Sequence, residues 1–470
     1  MQASLNASQK WGVLVAVGIG TFMTALDTSV VNTVLPVIGE NFQEAIANVE
    51  WVVTIYLLVL SGLLLSFGRL GDMRGHKAIY LTGFGIFMGG SFFSGAAPNV
   101  ELLVASRGLQ ALGAAMIAAN SPAILTKSFP DEQRGQALGL QATMTYLGLT
   151  VGPSLGGWLA SLIGWRVVFY INLPVGIAAI WLSAHFIPND LNRKQSEHFD
   201  YLGAITFLIG LGTLLLGLNQ GEGWGWTSLP VLGLLISAFI FLGIFIYVER
   251  QVSHPMLDLS LFKRLPFSLT AASAVINYIG IFTSIFLMPF YLIQGRGFTP
   301  AQAGLILTAQ PVIMAVIAPI SGTLSDRIGT QLPTALGMAV LSGGLFFLSR
   351  LTAQSSTGMI MLALAVVGLG TGAFISPNNS ALMGSAPKSR QGIAAGILAT
   401  ARNFGMVLGV GIAGAIFTTV LSHGGSGLGI AGSTTQNGAI FSALAMSFLV
   451  ASGITLLGVF TCMYRVTSKS

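Results

Sequence analysis

The sequence holds one cysteine, Cys462, and only 8% of its 470 residues are charged. A lone thiol excludes an intramolecular disulfide and a cysteine-based metal cluster. Charge this sparse, against about 25% in soluble domains, excludes an ordinary soluble fold. No Walker motif, no phosphate-cradling glycine loop joined to a soluble domain and no Cys/His cluster occurs, so no ATP site, metal or cofactor is implied. The net charge of +6 is scattered along the chain and forms no basic stripe, which gives no reason to invoke nucleic acid.

What the sequence has instead is apolar length: 53% hydrophobic residues, 60 glycines and a mean hydropathy of +0.79. Runs of roughly 20 residues, each long enough to cross a ~30 Å hydrocarbon layer, recur about fourteen times. They fall near 11–36, 49–67, 78–98, 101–125, 135–160, 167–187, 201–219, 229–248, 267–293, 302–323, 333–350, 357–380, 391–420 and 439–462. This predicts an all-α polytopic membrane protein. Of the 21 Lys and Arg, sixteen fall in alternate loops and ends that include both termini, and three (Arg166, Arg296, Arg350) in the opposite loops. Lys and Arg retained inside place both termini in the cytoplasm, in a plasma (inner) membrane. Residues 1–10 lead into a run too long for a signal-peptide core, so the first helix is expected to be retained.

The chain repeats itself. GRLGDMRG (68–75) and GTLSDRIG (322–329) share G-x-L-x-D-x-x-G, and Ser121-Pro122 with Ser376-Pro377, Gly135/Gly139 with Gly392/Gly396 and Gly152/Gly156 with Gly405/Gly409 follow at nearly the same offset. Two homologous six-helix halves, 1–190 and 267–470, with two inserted helices and linkers at 191–266, account for this order. Parallel repeats of this kind are the plan of major facilitator transporters, whose substrate site lies between the halves near the bilayer midplane. The charges were not duplicated with the scaffold: Asp27 maps to about Phe282 and Arg107 to about Leu362.

Asp27, in ALDTSVVNTVLP (25–36), is the one acid deep inside an expected span; Glu40, Glu44, Glu50, Glu101 and Glu222 fall toward the outer side. A charge at the bilayer centre costs about 2.5–3.5 kcal/mol on insertion scales and faces a cavity or a partner. Asp27 is therefore a candidate for proton or cation coupling, the alternative being an acid that fixes a helix contact permanently. Arg107 is the matching cation on the fourth span, as a relay to Asp27 or as a fixed lock. Arg402 reads as a snorkelling side chain. Gly148, Gly152 and Gly156, beside Pro153, make a smooth, bendable face on the fifth span, expected as a seam for the other half. Asp72 with Arg74, and Asp326 with Arg327 in the second copy, are candidates for an inner gate whose charge pairs form when the cytoplasmic side closes. Asn32, Tyr56, Gln110, Met144 and Tyr146 are candidate cavity residues.

These motifs resemble one family along essentially the whole chain. Leu26–Pro36 is similar to the first-helix signature of the fourteen-helix drug:proton antiporters of the major facilitator superfamily, with Ser29 and Val34 at positions usually Thr and Ala. GRLGDMRGHK resembles the superfamily loop motif, with Met73 and His76 at common basic positions, and RGLQALG resembles the fourth-helix pattern, with Ala111 for Gly. GLTVGPSLGG, WRVVFYINLPVG and HPMLDLSLFK resemble further hallmarks of the group. The resemblance implies proton-driven export of hydrophobic or amphiphilic compounds, with Asp27 as membrane carboxylate, Arg107 acting on proton traffic, Gly152-Pro153 as antiporter bend and Asp72 at the inner gate. Lacking a second-half membrane acid, the chain is expected to prefer monocationic or neutral compounds over dications. Export of lipid-like amphiphiles on the same scaffold is the alternative; a receptor with such small loops is disfavoured, as is a channel without a selectivity ring. Partners are then lipid, protons and a small substrate, with the chain a monomer.

Overall fold

The computed structural model describes residues 7–130, 133–188, 200–252, 257, 259–386, 391–422 and 436–464. Its helices, in chain order, are α1 (Ala7–Phe42), α2 (Ile46–Arg74), α3 (His76–Ala96), α4 (Val100–Ser128), α5 (Arg134–Leu162), α6 (Val167–Tyr170), α7 (Asn172–Phe186), α8 (Tyr201–Trp224), α9 (Leu229–Gln251), α10 (Leu265–Phe290), α11 (Pro300–Leu307), α12 (Ala309–Ile328), α13 (Gln331–Ser349), α14 (Thr357–Ser385), α15 (Gln391–Ser422) and α16 (Gln436–Met463). Thirteen spans are long and apolar enough to cross a bilayer, with α6–α7 forming one of them and α11–α12 another. The 29-residue α5, diluted by Gly, Thr and Gln, makes the fourteenth.

Helices were forced by the solvent. In hydrocarbon every backbone N–H and C=O must be satisfied within the segment, which an apolar helix does by itself. Where chains re-enter at the face opposite the termini, side chains cap the first turn: Asn99 accepts from Leu102 N, Ser356 from Met359 N, and Thr299 and Gln302 form a reciprocal capping box. Large apolar side chains such as Phe239, Leu457 and Phe460 stay exposed on the outer helix faces, where lipid replaces water.

The two breaks in expected continuous spans have local causes. Ile171 separates α6 from α7 just before Asn172-Leu173-Pro174, and Thr308 separates α11 from α12, its hydroxyl bonded both to the Gly304 carbonyl and to Ser154 of the other half.

Within each half, glycines let helices touch backbone to backbone. A Cβ at Gly83 or Gly113 would collide across α3–α4, and Gly337 and Gly370 repeat this across α13–α14. The expected α5 seam is corrected here. Gly148, Gly152 and Gly156 pack on Phe22–Leu26, Ser29 and Val30 of α1, inside their own half. Gly405 and Gly409 pack likewise on Val275–Tyr278 and Ile279–Phe282 of α10, inside the second half. The neighbouring stripe of α5, about 100° round the helix, meets the other half: Gly157 lies on the Pro300 carbonyl, Gly304 on the Pro153 carbonyl, and the Ser161 hydroxyl accepts from Ala301 N.

All hydrogen bonds between described residues of the two halves lie at this far face, opposite the termini. There α8 also bridges the halves, packing on both α2 and α15. The far side of the interface is therefore closed.

Candidate functional site

Asp27 sits at the centre of the first half, 1% exposed. Arg107 Nη1 donates to its Oδ2 at 2.6 Å, and Gln110 Nε2 and Asn172 Nδ2 each donate to its Oδ1 at 2.8 Å. The same two amide nitrogens donate to Ser91 Oγ, at 2.7 and 2.8 Å, which closes a ring of four polar groups from α1, α3, α4 and α7. Gly90 makes this possible: a Cβ there would reach Gln110 Cα at 2.5 Å, so only glycine lets α3 bring Ser91 against α4.

Arg107 is held from several sides. Beyond Asp27, its Nη1 donates to Gln110 Oε1 at 2.6 Å and its Nε to the Val52 carbonyl at 3.2 Å, while the Tyr56 ring lies 4.1 Å and the Phe169 ring 5.8 Å from the guanidinium carbon. A buried ion pair repays its desolvation only with this kind of geometry and extra hydrogen bonds.

The structure thus groups Asp27, Arg107, Gln110 and Tyr56 in one cluster. Gln110 and Tyr56 are fully buried parts of it rather than cavity wall. Ser91 and Asn172 were missed as site residues; Asn172 carried a signal, an amide next to Leu-Pro in an otherwise apolar helix, and Ser91 none. In the second half Gly280, Leu345 and Thr455 pack on one another.

Of the remaining candidates, Asn32 is buried and donates to its own helix at the Thr28 carbonyl. Met144 packs beside Gly18. Tyr146 lies close to Tyr278 and Arg402 of the other half. Arg402 does not snorkel: it lies beside Tyr278 and Tyr146, and its Nε is shielded without an acceptor. Between described residues no carboxylate lies within 4 Å of it.

At the terminus face, Asp72 Oδ1 stands 3.3 Å from His76 Nε2, and His76 Nδ1 donates to Asn120 Oδ1 at 2.7 Å. Burial pushes the Asp72 carboxyl up, but the His76 bond and the charges of His76, Lys127 and Arg69 outweigh it and hold the group below the usual carboxylate range. Arg74, Asp326 and Arg327 are exposed. The loop motif HPMLDLSLFK lies partly outside the described residues.

Residues 17–262 and 270–469 match the description Major Facilitator Superfamily. The chain belongs to that superfamily. It is 33% identical to a riboflavin transporter of Clostridioides difficile (strain 630), over 98% of this chain and 99% of that one. It is 32% identical to the multidrug resistance protein Stp of Mycobacterium tuberculosis (strain H37Rv), over 87% of this chain and 76% of that protein. Among solved structures, a bacterial homologue of the human lysosomal transporter Spinster, inward-facing and unoccupied, superposes with a TM-score of 0.68 at 15% identity, covering 99% of this chain and all of that one. This facilitator is thus a multi-pass membrane transporter of small molecules and not an enzyme.

Proposed function

We propose that this facilitator is a proton-coupled exporter of amphiphilic compounds, working by alternating access with both termini in the cytoplasm. The observation that carries the reading is the Asp27 ring, a carboxylate placed out of water where a proton changes the contacts of four helices at once. Antiport follows when the two states of the transporter differ in proton affinity at that carboxylate. The loop charge asymmetry supports the cytoplasmic placement of the termini. With the far face closed, the exposed Asp72, Arg74, Asp326 and Arg327 are then the separated parts of the inner gate.

Arg402 bears on the substrate. A guanidinium between the halves, with two tyrosines and, among the described residues, no carboxylate within 4 Å, repels cations and suits neutral or acidic groups. The proposed substrates are therefore neutral or weakly acidic amphiphiles, ahead of the monocations that the sequence alone allowed. The full-length likeness to a riboflavin transporter favours a second reading, movement of a planar polar heteroaromatic through the same cavity.

The test is flux in proteoliposomes under an imposed pH gradient, with riboflavin, a neutral dye and a monocationic dye as probes, comparing the parent with Asp27→Asn. Gradient-driven flux lost in the variant, with dye binding retained, supports the reading. Unchanged gradient-driven flux would make Asp27 structural and overturn it.

A further inference from the structure

Glu50 is a second carboxylate that this fold takes out of water. It lies one turn into α2 at the far face, is fully buried, and packs where α2 of the first half, α15 of the second and α8 of the inserted pair meet. On α8, Asn219 Nδ2 donates to Glu50 Oε2 at 3.3 Å and to the Ala47 carbonyl at 3.0 Å, and Asn219 Oδ1 accepts from Trp51 Nε1 at 2.7 Å. On α15 the facing residue is Gly414, where a Cβ would fall onto the carboxyl group. Glu50 Oε1 has no donor.

Among the described residues no positively charged side chain offsets this burial. Between described residues no Lys, Arg or His lies within 4 Å of Glu50. The titratable groups carried by the far-face ends of the elements around it are acids. Glu222, one turn further along α8, engages the Ser422 hydroxyl of α15, while at the α1–α2 turn Glu40 is exposed and Glu44 half-buried. From Gly405 to Ser422, α15 carries no charged residue. An ionised carboxylate with one neutral donor pays a desolvation penalty that the neutral acid largely avoids.

We propose that Glu50 is a second proton-binding site, which takes up a proton from the far side as α15 and α8 close over it and returns it when they withdraw. The inference rests on alternating access of the two halves and not on the role of Asp27. It also gives the inserted helices a function: Asn219 of α8 holds the carboxyl in the seam, so the far gate is a three-part closure in which the inserted pair takes part. By linkage, protons on the far side favour the closed far gate. While Glu50 is ionised in the open state and neutral in the closed one, each pH unit of acidification raises the closed-to-open ratio by up to about tenfold.

The experiment reads the gate rather than transport. Spin labels at Ile163→Cys and Gln354→Cys, one exposed far-face position in each half, are placed in a Cys462→Ser background in nanodiscs, and their distance distribution is followed from pH 8 to pH 5. The parent is expected to shift toward the short, closed distance on acidification. Glu50→Gln, neutral and of the same shape, should stay closed at every pH with the dependence lost. Asn219→Ala, which removes the one donor to the carboxylate among the described residues and so weakens the closed seam, should move the closing midpoint to lower pH. Gly414→Ala should depopulate the closed state throughout. A parent distance independent of pH, or a Glu50→Gln variant that keeps the parent's pH response, would overturn the proposal. So would loss of the response in Asp27→Asn, which would assign it to the other carboxylate.

Discussion

Arg107 Nη1 donates to Asp27 Oδ2 at 2.6 Å, and both side chains are closed off from solvent. Removing one member strands the other, which costs about 3–5 kcal/mol for a buried pair. Arg107→Ala should therefore lower thermal stability in detergent strongly. The double variant Asp27→Asn/Arg107→Gln should recover most of the loss, because no charge is left buried. Additive losses in the double variant would show that the two groups do not form a unit.

The two stripes of α5 should behave differently when filled. Gly152→Val places bulk on Ser29 inside the first half, and overpacking of this kind costs about 1–3 kcal/mol, so its melting temperature should fall. Gly157→Val places the same bulk on the Pro300 carbonyl of the other half. Its stability should change little, while labels across the far face should report a shift toward the open gate.

Arg402→Gln should separate substrates by charge. Flux of an acidic amphiphile is expected to fall about tenfold, the worth of one charge-assisted hydrogen bond, while a neutral analogue stays within about twofold. Equal losses for both compounds would place Arg402 in helix packing alone.

The Asp72–His76 contact predicts a pH effect of definite sign. Because the Asp72 carboxyl is held below its unfolded value, its contribution is present above the ordinary carboxylate range and is lost as pH falls through the lowered value. Asp72 is half exposed, so solvent screens the pair and limits the contribution to about 1 kcal/mol or less. Melting curves between pH 6 and pH 3 should show an acid-side loss in the parent that is smaller in Asp72→Asn.

Much of the architecture was legible in residue order alone. Hydrocarbon solvent leaves helices as the one economical backbone for apolar runs of this length, and a duplicated glycine and proline pattern marked the repeat. Asp27 and Arg107 stood out because ionisable groups are rare in such runs, and the structure joins them. The glycine stripe of α5 misled as to partner, since small residues at every fourth position announce close packing without saying which helix approaches. Arg402 was read from depth along its helix, whereas its surroundings depend on Tyr278 of a helix far away in the chain.

Composition and spacing by themselves determined the membrane class, the span count, the two-half plan and the identity of the buried ion pair. Only the tertiary structure decided the rest: the ring that adds Ser91 and Asn172 to Asp27, the stripe of α5 that meets the other half, and the burial of Glu50 under Gly414 and Asn219. Local sequence fixes helix and hydropathy through nearest-neighbour physics. The environment of a polar atom, however, is set by groups from helices distant in the chain, and a terminal-turn glutamate looks solvated until α8 and α15 cover it.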